Sequence, residues 1–142
     1  MADSTASVTW SGSLIEGGGT IERVGSGVFG GLPITWNART GEEAGKTTPE
    51  ELIAAAHASC YSMALSHGLA QGGNPPDSLE TSATVSFVPG TGITKIALTV
   101  TGSVQGIDAE TFATAAQDAV ENCPVSKALA AVPEITLDAR LT

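Results

Sequence analysis

The stretch from Thr48 to Gln71 constrains this chain most, because it reads as one long helix with almost no charge on any face. Three signals agree on its start: Thr48 is a hydroxyl N-cap, Pro49 suits the first helical position, and Glu51 at the third completes a capping box. Gly72-Gly73-Asn74-Pro75-Pro76 ends it, giving roughly 24 residues and about 36 Å of helix. Ala54, Ala55, Ala56, Ala58, Ser59, Ser62 and Ala64 leave little side chain between its backbone and whatever covers it. A helix that is small or apolar all round has to be buried on every side. One subunit of 142 residues can hardly surround it. The expectation is packing against the same helix of a second copy, with a monomer wrapping its own sheet around the helix as the competing arrangement.

The rest of the chain reads as short strands and two further helices. Ser7–Trp10, Thr20–Val24 and Pro33–Trp36 are strand-like runs divided by Gly-rich turns such as Gly17-Gly18-Gly19, and Gly41 to Thr47 is a polar loop. Thr81 to Val88 alternates as a strand, Pro89-Gly90-Thr91-Gly92 turns, and Ile93 to Val104 returns as its hairpin partner. Asp108 caps a helix from Ala109 to about Glu121, and a shorter helix begins at Pro124. Glu134 to Leu141 places Ile135, Leu137, Ala139 and Leu141 on one face of a closing edge strand. Strands, long helix, hairpin, two helices and strand in that order indicate a single α+β domain over residues 1–142 rather than a regular parallel α/β alternation.

Composition removes several functions. Asp and Glu number 15 against 6 Lys and Arg, a formal charge of −9, and the basic residues are scattered. Such a chain repels phosphate backbones, so nucleic-acid binding is not expected. No run of 18 or more apolar residues occurs and the N-terminus carries no basic patch followed by an apolar run, so neither a membrane span nor an export signal is expected and a cytoplasmic location is the default.

Two cysteines, Cys60 and Cys123, remain as the chemistry-bearing residues. Cys60 lies inside the long helix, in His57-Ala58-Ser59-Cys60-Tyr61, and Cys123 precedes Pro124, which makes it the N-cap of the helix that follows. A thiol at a helix N-terminus meets unpaired N–H groups that favour its thiolate. An apolar setting does the reverse, so a reactive Cys60 needs a cation. His57 and His67 share its helical stripe, but an arginine is always charged and also holds oxygen. Arg39, just before the polar loop, is favoured over Arg23 and Arg140, which lie in alternating strand patterns. Glu50 is its nearest carboxylate candidate, although a first-turn acid favours its helix N-terminus in any case. Glu50 stands about 15 Å along the helix from Cys60, so antiparallel copies of the helix would bring Glu50 of one toward Cys60 of the other. The sulfurs themselves leave a structural disulfide, two inert buried thiols, a zinc site with His57 and His67, or thiol-based peroxide reduction. Zinc suffers from the roughly 10 Å of helix rise between Cys60 and His67.

Two segments, Thr48–Ser66 with its Ala55-Ala56-His57-Ala58-Ser59-Cys60 core and Asn122-Cys123-Pro124-Val125-Ser126-Lys127-Ala128-Leu129, together resemble the OsmC/Ohr family of thiol-dependent peroxidases. Trp10-Ser11-Gly12, Asn37-Ala38-Arg39, Ile93–Leu98 and Glu134–Asp138 also fit, so the resemblance covers essentially the whole chain and is closer to the OsmC branch. It implies antiparallel sheets around a long central helix in an intertwined homodimer with active sites at the interface. It maps the peroxidatic sulfur onto Cys60, the resolving sulfur onto Cys123, the activating arginine onto Arg39 and its carboxylate partner onto Glu50. Organic hydroperoxides are the implied substrates, reduced to alcohols through a sulfenic acid and a Cys60–Cys123 disulfide, with a dithiol such as a dihydrolipoyl group as reductant. Neither cofactor nor metal is implied. Ile53, Met63, Phe29, Trp36 and Tyr61 are candidates for an apolar substrate pocket or for plain core. The alternative is a non-catalytic ligand-binding or metal-binding module of the same fold.

Overall fold

The computed structural model describes all residues, 1–142, and its chain forms two compact units, Met1–Leu52 and Ile53–Thr142. In the first, β1 (Ala6–Ser11), β2 (Gly18–Val24) and β3 (Gly30–Ile34) form an antiparallel sheet in that order, with a bulge in β1 between Ser7 and Val8. The third strand ends earlier than the sequence pattern suggests. Thr35 turns the chain by accepting the Ala38 N–H on its hydroxyl at 3.1 Å, which starts a single helical turn, α1 (Trp36–Arg39). A β-branched threonine in extended geometry serves strand and cap equally well, so the alternation over residues 33–36 does not separate them.

Helix α2 (Pro49–Gln71) begins in the first unit and ends in the second. The Thr48 hydroxyl accepts the Glu51 N–H at 3.0 Å, and the Glu51 carboxylate takes the Thr47 hydroxyl at 3.1 Å. Its C-terminus closes in a Schellman motif. Asn74 donates to the Leu69 carbonyl and Gly73 to the Ala70 carbonyl, with Gly73 at a φ of 89° that only glycine adopts freely. The Gly-Gly pair is therefore the stop signal it looks like.

In the second unit β4 (Ser78–Val88) and β5 (Gly92–Ser103) form the expected hairpin. The closing strand β6 (Glu134–Leu141) differs from the antiparallel expectation: it lies at the sheet edge but runs parallel to β5, from Lys95 opposite Glu134 to Gly102 opposite Leu141. The reason lies in the connection. Between β5 and β6 stand α3 (Ala109–Asn122) and α4 (Pro124–Ala128), and a helical crossover of that length is what a parallel pair requires.

The core follows from three matching stripes. Tyr61, Leu65 and Leu69 recur every fourth residue on α2, Ile96, Leu98 and Val100 alternate on β5, and Phe112, Ala116 and Ala119 share one face of α3. Ile135, Leu137, Ala139 and Leu141 of β6 pack against them. The remaining face of α2 is open in one chain: Ala56, Ser59, Met63, His67 and Ala70 form an exposed stripe, with Met63 at 71% exposure. Burial on every side is thus not achieved by a single subunit.

One contact in this core has no slack. A Cβ on Gly102 would stand 2.6 Å from the ring of Phe112, whose side chain is fully buried. Gly102→Ala is accordingly expected to destabilise the protein by about 1–3 kcal/mol through overpacking, read as a lower urea midpoint with an unchanged m-value.

Candidate active site

Each unit contributes one cluster of polar chemistry. In the first, two helical ends bring together the two groups predicted from the sequence. Arg39 closes α1 and Glu50 is the second residue of α2, and they form a bidentate ion pair with Nη2 to Oε1 at 2.7 Å and Nε to Oε2 at 3.3 Å, Nε also reaching Oε1 at 3.0 Å. Glu50 is 5% exposed, so its carboxylate is more than a helix-end charge. A buried carboxylate of this kind depends on its fork of guanidinium donors, which also fixes the direction in which the arginine points. Thr35 caps the turn that carries Arg39 and donates its hydroxyl to Glu43, which also pairs with Lys46.

The second cluster is the sulfur pair. Cys60 lies one residue before the core residue Tyr61, and Cys123 follows directly on α3, fully buried, so the packing of α2 on α3 makes the two thiols neighbours. Both are free thiols, Cys60 partly exposed. Pro124 occupies the first position of α4 and Cys123 caps it, accepting the Ser126 N–H on its sulfur at 3.5 Å. The Val125 N–H favours the charged form of both Cys60 and Cys123. This first turn of α4 has its free donors aimed at sulfur, as the Cys-Pro sequence suggests.

The proton shared by the pair is unequally held. Burial pushes Cys60 above an ordinary thiol, and its neighbour Cys123 adds to the rise, while the Val125 N–H opposes it. Cys123 is also desolvated, but the N–H and hydroxyl of Ser126, together with Cys60 and Val125, outweigh that and bring it below an ordinary thiol. In an isolated chain the negative charge therefore settles on Cys123. A reactive Cys60 thiolate needs a further cation, which is the requirement the sequence places on Arg39.

The two histidines divide sharply. His57 is fully buried and desolvation lowers its pKa, so it is a neutral imidazole rather than a counter-charge for Cys60; its Nε2 meets the Ser126 Oγ at 2.7 Å. His67 is exposed on α2. No three His, Cys, Asp or Glu side chains converge on a point that suits a metal, which leaves the zinc arrangement without a ligand set. Tyr61 belongs to the core, its hydroxyl donating to the Ala116 carbonyl at 2.9 Å, while Met63 and Phe29 are exposed. No helix is long and apolar enough to cross a membrane.

Unequal sharing has a spectroscopic consequence. Thiolate absorbance near 240 nm is expected to rise in two steps, one below and one above the range of an ordinary thiol. Cys123→Ser should leave one step, displaced downward from the upper step of the parent because the charge that raised Cys60 is gone. A single unsplit transition in the parent contradicts the coupling.

The chain and its fold have counterparts among known proteins. The pattern of the family described as OsmC-like protein matches residues 41–138. Peroxiredoxin OsmC of Escherichia coli (strain K12) is 48% identical over 135 residues, covering 93% of this chain and 92% of that protein. Among solved structures, the organic hydroperoxide resistance protein OhrB of Bacillus subtilis superposes with a TM-score of 0.62 at 26% identity, over 97% of this chain and 98% of that one. An OsmC-like protein of unknown function from Vibrio cholerae shares the fold, with a TM-score of 0.73 at 18% identity over 98% and 99% of the two chains. With a family pattern across most of its length and nearly half its residues shared with a peroxiredoxin OsmC, the chain belongs to the OsmC family.

Proposed function

We propose that this protein is a cysteine-based peroxidase of stress defence that reduces organic hydroperoxides to alcohols, and hydrogen peroxide more slowly. The observation that carries the reading is the pair of free, neighbouring cysteines, with backbone donors of α4 directed at their sulfurs, in a relative of peroxiredoxin OsmC. Inert structural thiols have no need of such donors.

Cys60 is the peroxidatic residue in this reading. Its thiolate attacks the terminal oxygen of ROOH, the O–O bond breaks, and RO⁻ leaves and takes a proton to become ROH, while Cys60 becomes a sulfenic acid. Arg39 supplies the missing cation: its guanidinium, oriented by Glu50, holds the Cys60 thiolate and the departing oxygen. The Cys123 thiolate then attacks the sulfenic sulfur, hydroxide leaves and is protonated to water, and a Cys60–Cys123 disulfide remains. An external dithiol, of which a dihydrolipoyl group is one type, reduces it by exchange. Sulfur carries all the electrons, so the cycle draws on no metal or organic cofactor.

Two copies complete the site. The open stripe of small residues along α2, from Ala56 to Ala70, suits close antiparallel contact with its own copy, and an intertwined dimer of that kind would carry the Arg39–Glu50 pair of one subunit to the sulfurs of the other. The two compact units are then parts of one OsmC-like domain, in keeping with a relative that aligns across both. We place the protein in the cytoplasm, where dithiols return a redox-active cysteine pair to its reduced form.

Peroxide consumption with t-butyl hydroperoxide and a dithiol tests the assignment. Cys60→Ser is expected to abolish turnover, and Cys123→Ser to permit one fast oxidation without disulfide formation. Arg39→Lys should lower kcat/KM by about 10²-fold or more, because a point charge does not replace a bidentate fork. Turnover by Cys60→Ser at the parent rate would refute the roles. Met63→Glu, at the centre of the open stripe, should shift the protein from dimer to monomer in sedimentation and take peroxidase activity with it.

A further inference from the structure

Ser126 is the hinge of the second cluster, because it bonds in two directions at once. Its N–H donates to the Cys123 sulfur at 3.5 Å, and its hydroxyl oxygen lies 2.7 Å from Nε2 of His57. His57 and Ser126 are 0% and 6% exposed, and they come from α2 and α4. A five-residue helix such as α4 has no stability of its own and stays where its neighbours hold it. Val125 and Leu129 give it apolar contact with the core, but apolar contact is non-directional and does not orient a hydroxyl.

The imidazole has a cost as well as a bond. Its Nδ1 is buried with no hydrogen-bond partner, which an apolar side chain of similar size would avoid. One proton arrangement makes the cost smallest. The neutral ring carries its hydrogen on Nε2 and donates to the Ser126 oxygen, and Nδ1 is left as a bare lone pair rather than a stranded N–H. The lowered pKa of His57 agrees with a ring that stays neutral.

We propose that His57 and Ser126 are positioning residues for Cys123: the imidazole holds Ser126 through its hydroxyl, which keeps the Ser126 N–H on the sulfur and the first turn of α4 beside Cys60. The relay stabilises the Cys123 thiolate as nucleophile for disulfide closure. Neither residue touches substrate. The proposal rests on Cys123 as the resolving thiol, but it concerns a hydrogen-bond chain that exists without peroxide.

The experiment uses the full-length parent, Ser126→Ala, His57→Leu and His57→Gln. Each reduced protein is mixed with oxidised dithiothreitol, which becomes reduced dithiothreitol as the Cys60–Cys123 disulfide forms, and closure is followed along with the 240 nm thiolate titration. Ser126→Ala and His57→Leu are expected to slow closure about tenfold and to move the lower thiolate step upward. His57→Gln, whose amide N–H has about the reach of Nε2, should restore both. Ser126→Ala removes a single oxygen and keeps the test decisive should His57→Leu fold poorly. An unmoved lower step in Ser126→Ala overturns the proposal, as does His57→Gln behaving like His57→Leu. Because no peroxide takes part, inertness of Cys60 toward hydroperoxides would sink the peroxidase reading and leave these results unaffected.

Discussion

A helix without charge has to be covered, and the second unit of this protein is organised around that need. Past Glu51, helix α2 has only two histidines as titratable side chains besides Cys60 and Tyr61. Its Tyr61–Leu65–Leu69 stripe meets the alternating Ile96–Leu98–Val100 row of β5 and the Phe112–Ala116–Ala119 face of α3. Each contact is the ordinary burial of apolar area, worth on the order of 1.5–3 kcal/mol for a large side chain. Their joint effect is positional. The stripe that buries Tyr61 leaves Cys60 at the margin of the core, and the helix that buries Phe112 ends on Cys123. The sulfurs are neighbours because the hydrophobic stripes meet.

Electrostatics then acts on a geometry already set. Two neighbouring desolvated thiols cannot ionise independently, and the donors of α4 decide which carries the charge. Ser126 gives Cys123 its N–H, whereas for Cys60 the effect of burial outweighs that of the Val125 N–H. The first unit holds its own opposed pair, a guanidinium locked on a buried carboxylate. A cation with so fixed a direction is suited to a reaction in which charge develops at one oxygen.

Much of this is written in short stretches of sequence. Thr48-Pro49 and Gly72-Gly73 mark the ends of α2, Asp108 marks α3, and Pro124 identifies Cys123 as a cap, because each signal acts within a few residues. Arg39 and Glu50 are close enough in sequence for scarcity of arginine to suggest their contact. What the sequence hides is long-range. The parallel sense of β6 depends on how the chain crosses back, and alternation of Ile135, Leu137, Ala139 and Leu141 is the same in either direction; the helical length between β5 and β6 was the usable clue. The His57–Ser126 bond joins residues from two helices that no local pattern relates, and an imidazole on the stripe of Cys60 looks like a counter-charge until its burial is known. The division of one proton between two sulfurs follows from individual N–H directions, which a one-dimensional pattern does not contain.

The crossover that carries α3 and α4 has a thermodynamic side. Cys60 and Cys123 bracket β4, β5 and α3, so a bond between them would enclose the hairpin and the central strand of the sheet in one covalent ring. Closing a loop of roughly 60 residues removes unfolded-chain entropy worth about 4 kcal/mol in the chain-entropy view. An enzyme cycling through that bond would alternate between a tethered form and a looser one, with its resistance to unfolding rising at oxidation and falling again at each reduction.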